Sequence, residues 1–250
     1  MKVGLASRAA RPHGWGMSYG YPQTTQYGVP SQAAIDSRAR FIVRTYNHLF
    51  VSLIAFAAIE AGLFMSGAAA TIAQAMLGSS WLLVMGAFMI VSWLASRVAY
   101  RSASLPMQYL ALAGFVVAEA VVFVPLLYMA EAYAPGAVRS AALVSFLGFA
   151  ALTGIGFWTR KDFSFLGGLL RWGAIVALIA IVAGVVFGFE LGTFFSVAMV
   201  GFAGAAILYD TSNVLHHFPE DRYVAAALQL FASVALMFWY VLRLFLGSRR

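Results

Sequence analysis

The stretch MVGFAGAAILYDTSNVLHHF, Met199–Phe218, decides how the chain is read. From Thr193 to Tyr209 no side chain carries a charge. Then comes Asp210, followed by Thr211, Ser212, Asn213 and a pair of histidines. A carboxylate beside so long an apolar run is costly unless it is paired, protonated or reached by water. The run has the length of a membrane-spanning helix, and the remaining sequence tells whether it is one of several.

Of the 250 residues, 62% are hydrophobic and 10% are charged, with a mean hydropathy of +0.85. A soluble domain of this size carries about 25% charged residues. The apolar residues fall in several runs of about 18 or more, the length needed to cross a bilayer. Seven spans are predicted, at roughly 44–66, 80–100, 107–130, 138–159, 169–189, 193–215 and 223–246. The fold class is therefore an all-α membrane protein with seven transmembrane helices. Short links make consecutive helices antiparallel neighbours. Pro106, Pro135 and Pro219 fall in links, whereas Pro125 lies inside the third span and should kink it. Residues 1–38, rich in Gly, Tyr, Pro, Gln and Ser, read as a flexible cytoplasmic tail, and residues 39–250 as the transmembrane domain.

The basic residues set the orientation. With the N-terminus inside, 12 of the 16 Lys and Arg face inward, leaving Arg139, Arg243, Arg249 and Arg250 outside. The outer links 67–79, 131–137 and 190–192 contain neither Lys nor Arg. Seven spans place the C-terminus outside, unless the last helix crosses only partly. The net charge of +7 thus reads as a topology signal rather than a nucleic-acid surface. The lipid bilayer is the partner implied, with no nucleic acid. The chain has no cysteine, which excludes disulfides, zinc–thiolate sites and cysteine nucleophiles. A sequence without a signal peptide or lipid motif, and with many arginines, fits a multi-pass protein of a bacterial inner membrane.

Three acids fall inside spans. At a rise of about 1.5 Å per residue, Asp210 lies roughly 8 Å from the inner end of its span, Glu119 roughly 18 Å and Glu60 roughly 24 Å from theirs. Together they suggest an acidic path suited to cations or protons. Asn213 and His217 follow Asp210 at i+3 and i+7, on one helical face. Arg97 and Arg101, at the inner end of the second span, are the candidate counter-charges for Asp210. Protonation would break such an ion pair and free a helix, which is a gate in outline. No metal site is expected, because the adjacent His216 and His217 point about 100° apart on a helix. Gly184, Gly188 and Gly192, and Gly201 with Ala205, read as helix-packing faces.

Several stretches resemble the Bax inhibitor-1 family of membrane proteins. They are TRKDFSFLGGLL (159–170), ILYDTSNVLHH (207–217), RTYNHLF (44–50), RVAYRSAS (97–104) and AAALQLFASVALMFWYVLRLF (225–245). Their order and spacing cover residues 38 to 246. The resemblance implies three helix hairpins around a central seventh helix and a pH-sensitive calcium leak. It implies that the counterpart of Asp210 pairs with a second aspartate in the last helix, close to a basic residue of the second helix. Arg97 and Arg101 both suit that basic role. The position matching the second aspartate is Ser233, and the last helix holds no acid. Ser233 or Gln229 is left to bond Asp210.

Other classes lack their residues. An intramembrane aspartyl protease needs a second aspartate as acid or base, and a retinal protein needs a lysine in the last helix. The only lysines are Lys2 and Lys161. No enzyme activity and no cofactor are expected. The alternative function is a non-conducting regulator that binds another membrane protein such as a membrane protease. A proton-coupled carrier is a third possibility.

Overall fold

The computed structural model describes residues 32–247; the rest of the predicted tail, and Arg249 and Arg250, lie outside the described residues. The elements are α1 (Gln32–Met65), α2 (Ala68–Leu77), α3 (Trp81–Arg101), α4 (Leu105–Tyr133), α5 (Ala137–Thr159), α6 (Leu166–Phe187), α7 (Thr193–His216) and α8 (Tyr223–Gly247). There is no strand among the described residues. All helices but α2 are long and apolar enough to cross a membrane, giving seven spans. The end that holds Arg38, Arg97, Arg101, Arg160 and Arg222 is the basic end; the opposite one is the far end.

Two elements depart from the sequence expectation. Helix α1 begins at Gln32, so residues 32–38 continue the first span instead of belonging to a tail. Ala33, Ala34 and Arg38 among them are good helix formers. The link 67–79 holds α2, a ten-residue apolar helix. Gly67, at φ 77°, supplies the left-handed turn that separates α2 from α1, a conformation costly for a residue with a Cβ. Ala69 and Ala73, one turn apart, then settle against Val124 of α4.

The last span is the centre of the bundle. In its most apolar stretch 72% of residues are buried, against 11% in the second span. Helix α8 packs on α1, α3, α4, α5 and α7. Small residues make this possible: Ala225, Ala226, Ala227, Ser233 and Ala235 are all buried and let backbones approach. Around it, α4 packs on α5 and α6 on α7, while α1 and α3 do not touch each other and are joined through α2 and α4. At about 1.5 Å per residue, the 25 residues of α8 span roughly 37 Å, so this helix crosses fully. Helix α4 runs unbroken through Pro125.

The small-residue faces are not where the spacing put them. A Cβ on Gly201 would meet nothing, and Gly188 is the left-handed cap of α6. The close approaches lie elsewhere. A Cβ on Gly204 would sit 3.3 Å from Leu152, and one on Gly156 of α5 would lie 2.7 Å from Cγ2 of Thr211 on α7. Thr211 is β-branched and fully buried, so it has little room to turn aside. Gly156→Val is expected to force α5 from α7 and cost about 1–3 kcal/mol, as overpacked cores do. Thermal unfolding in detergent would show a midpoint several degrees lower, while Gly201→Val, facing open space, would leave it unchanged.

Candidate functional site

Asp210 faces inward from α7 and is 4% exposed. On the facing helix, Ser233 is also buried, and its Oγ donates to Asp210 Oδ2 at 2.5 Å. A hydroxyl–carboxylate bond of this length belongs to the strong, charge-assisted class. The position where the resemblance implies an acid is thus occupied by a donor to the remaining one. Gln229, the other residue proposed for this bond, is exposed.

The expected counter-charges are not brought to Asp210, which forms no ion pair among the described residues. The reason lies in the register of α3. Ala95 and Ala99 are its buried pair, so Arg97 and Arg101, two residues further on, point to the exposed face. The Arg97 guanidinium lies over the ring of Trp93, 5.0 Å from its centroid. His217 and Asn213 do not extend the Asp210 site either. His217 lies one residue past α7, at its C-cap, and its Nε2 is 3.4 Å from Oδ2 of Asp162. Asn213 acts through its carbonyl, which accepts the backbone N–H groups of His217 and Phe218, each at 2.8 Å.

What surrounds Asp210 on the basic side is a patch of hydroxyls. Tyr46 of α1 lies beside Thr153 of α5 and Thr211 of α7. The three oxygens are buried, and none completes a hydrogen bond.

The basic end of α7 is fastened from two sides. Arg38 of α1 donates to three carbonyls at the end of α7: Val214 at 2.8 Å, Leu215 at 3.2 Å and Phe218 at 2.5 Å. A guanidinium on the last carbonyls satisfies groups that have no helical partner and suits the helix dipole. On the other side, Ser212 Oγ accepts the Phe163 N–H at 2.8 Å and donates to Asp162 Oδ1 at 3.4 Å. Asp162 Oδ1 also accepts the Ser164 N–H at 2.8 Å. The α5–α6 link is thereby tied to α7. Next to these, Arg222 donates to the carbonyl of Ser102, which also accepts from Gln108 at 3.0 Å.

The opposite half is hollow. A cavity of about 1330 Å³ runs from Thr193 and Arg243 at the far end inward to Ser233. From Gly247 to Ala232 it follows α8 for fifteen steps of about 1.5 Å, roughly 22 Å. Towards the basic end Val224–Leu228 are buried and close it. Glu119 lines the cavity. Glu60 does not: both its oxygens are enclosed and unpartnered at the far side of α1. The three intramembrane acids therefore do not share one continuous path. Glu119 stands in the cavity, Asp210 behind Ser233 at its floor, and Glu60 outside it. Among the described residues no group of three or more His, Cys, Asp or Glu gathers to hold a metal ion.

With the geometry in place, the comparisons are decisive for the family. A family profile described as "Inhibitor of apoptosis-promoting Bax1" matches residues 38–250. The chain belongs to the Bax inhibitor-1 family. Similar proteins include the modulator of FtsH protease YccA of Escherichia coli, 38% identical over 81 residues, 32% of this chain and 36% of that protein. Protein LIFEGUARD 4 of Arabidopsis thaliana is 32% identical over 149 residues, 56% of this chain and 58% of that protein. A BI1-like protein of Arabidopsis thaliana is 31% identical over 101 residues, 38% of this chain and 39% of that protein. The chain spans between 36% and 58% of the length of these curated relatives. As a member of the family it is a multi-pass membrane protein.

The contact between the link and α7 has a defined pH dependence. The Ser164 backbone N–H, helped by the Ser164 hydroxyl and by nearby His217, holds the Asp162 carboxyl below the usual carboxylate range. An acid lowered in this way stabilises the fold at and above its ordinary titration range and loses that effect only as pH falls through the lowered value. Hydrogen exchange at Phe163 and Ser164, corrected for its intrinsic rate, should therefore stay slow from pH 8 down to about 5 and rise only below about 4. Asp162→Ala should give the fast exchange already at pH 7.

Proposed function

We propose that the protein is a cation leak of a bacterial inner membrane, with its N-terminus cytoplasmic, gated by the protonation of Asp210. The observation that carries this reading is the cavity that reaches Ser233, whose hydroxyl holds Asp210 at 2.5 Å. The far half of the path is already open, with an acid, Glu119, on its wall. The bond between α7 and α8 lies where the opening stops. Conduction needs a path with weak sites rather than a tight binding site, so the absence of a metal-binding cluster among the described residues is compatible with it. Protonating Asp210 removes the charge that strengthens the Ser233 bond and loosens the contact between α7 and α8. Calcium is the ion that the family resemblance implies.

A second reading is favoured by the similarity to a relative named a modulator of FtsH protease. In it the chain conducts nothing and acts by binding a membrane protease.

Calcium flux into proteoliposomes between pH 8 and 6 separates the two. The leak reading expects wild-type flux to rise as pH falls, Asp210→Asn to be insensitive to pH, and Ser233→Ala to pass more than wild type at pH 8. Flux no greater than that of empty vesicles at every pH would sink the leak. Co-purification of a membrane protease with the tagged chain would then support the binding reading.

A further inference from the structure

The cavity contains a group that the gate does not use. Glu119 is 7% exposed, lines the cavity and forms no ion pair among the described residues. Phe115 and Phe123 stand four residues before and after it, on the same face of α4, and both line the cavity. From them an aromatic surface continues in both directions. Phe115 meets Phe88 of α3 with ring centroids 6.0 Å apart. Phe123 meets Trp239 of α8 edge to face at 5.0 Å, and Trp239 stacks on Trp81 at 6.0 Å. All of these rings line the cavity.

An acid with aromatic rings along the same cavity wall has a specific chemistry. Ring faces attract a cation through their quadrupole, more strongly where water is excluded, and the carboxylate adds a full opposite charge. The rest of the wall is mixed: Leu126, Ile181, Val185 and Leu236 are apolar, and Ser92, Thr193 and Ser196 add hydroxyls. A hydrated small cation passes through a space of this size without being held in it, since no three acids or histidines gather among the described residues. A cation that carries its own apolar groups loses little by entering. The volume, about 1330 Å³, exceeds the range of about 300–1,000 Å³ that takes drug-sized ligands. The other charged groups on the wall lie at the mouth. They are Glu190 in the α6–α7 link and Arg243, which donates to the Leu191 carbonyl at 2.8 Å. Glu119 is thus the deep charge, with Glu190 and Arg243 both shallow.

We infer that this cavity binds a lipophilic organic cation, a quaternary ammonium or phosphonium bearing aromatic or alkyl groups, with its charge on Glu119 and its groups against Phe115, Phe123 and Trp239. The site shares the cavity that ends at Ser233 but does not use the Ser233–Asp210 bond, so a chain that leaks no calcium would still bind such a ligand.

The test uses the full chain in phosphatidylcholine nanodiscs, with tetraphenylphosphonium as the probe and empty nanodiscs as the blank. Titration calorimetry and tryptophan quenching are read together, because Trp81 and Trp239 border the site. The expected result is saturable binding that falls about tenfold in Glu119→Gln, is kept in Glu119→Asp and is unchanged in Glu60→Gln. Glu60 lies off the cavity, so its variant controls for the mere loss of a buried acid. Neutral triphenylphosphine oxide should bind at least tenfold more weakly than the cation. Equal affinity in Glu119→Gln, equal binding of the neutral compound, or no saturable binding above empty nanodiscs would each overturn the inference.

Discussion

Hydrocarbon offers no hydrogen bonds, so a carboxylate carried into a bilayer has to be solvated by the protein that carries it. Asp210 meets that requirement through Ser233. The bond depends on how closely α7 and α8 lie, and that closeness depends on small residues. Gly204 of α7 leaves room for Met237 of α8 and Leu152 of α5, and Ala203 of α7 is wholly buried. The central position of α8 follows from the same economy of volume. A helix touched by five others needs narrow side chains where backbones come close, and Ala225, Ala226, Ala227, Ser233 and Ala235 supply them. Glu60 shows the contrast: an acid in the same bilayer with no donor at either oxygen.

The two ends of the bundle are built differently. At the basic end, guanidinium and hydroxyl groups close over helix termini. Arg38 covers the last carbonyls of α7, Ser212 and Asp162 hold the α5–α6 link, and Arg222 reaches Ser102. These groups satisfy backbone atoms that a helix end leaves bare. The far half is instead lined by rings and hollow along α8, with Arg243 on Leu191 at its rim. A force that parts α7 from α8 meets tight fastening on one side and empty volume on the other. Movement is cheapest where packing is already absent, which places it at the floor of the cavity.

The spans were legible because their signal is length and hydropathy, which packing does not alter. Helix α2 was not, because a ten-residue apolar segment between two glycines is as consistent with a link as with a helix. The Ser233 partner was legible only through the family resemblance; nothing in AAALQLFASVALMF marks its serine as a donor to a residue 23 positions earlier. The arginines were misplaced because depth alone was used. Depth brings Arg97 and Arg101 level with Asp210, but helical phase sends them to the face opposite Ala95 and Ala99. The same omission affected His217, which sits past the helix end, where the i+7 rule no longer applies. Arg38 carried no signal at all, since its partners are carbonyls more than 170 residues away.

Replacing an acid by Ser233 changes the physics of the site rather than merely weakening it. Two carboxylates in contact cannot both be ionised, so such a pair shares a proton and titrates as a unit. A carboxylate and a hydroxyl have no such conflict. Ser233 donates to Asp210 when the acid is ionised and can donate or accept when it is protonated. The contact between α7 and α8 therefore persists in both charge states and differs between them in strength. A two-acid pair acts as a switch between attraction and repulsion, whereas Asp210–Ser233 tunes one bond. In this chain the charge that an acid on α8 would have contributed is absent from the floor of the cavity. Glu119 is left as the deep carboxylate on the wall of the open volume, with Glu190 at its mouth.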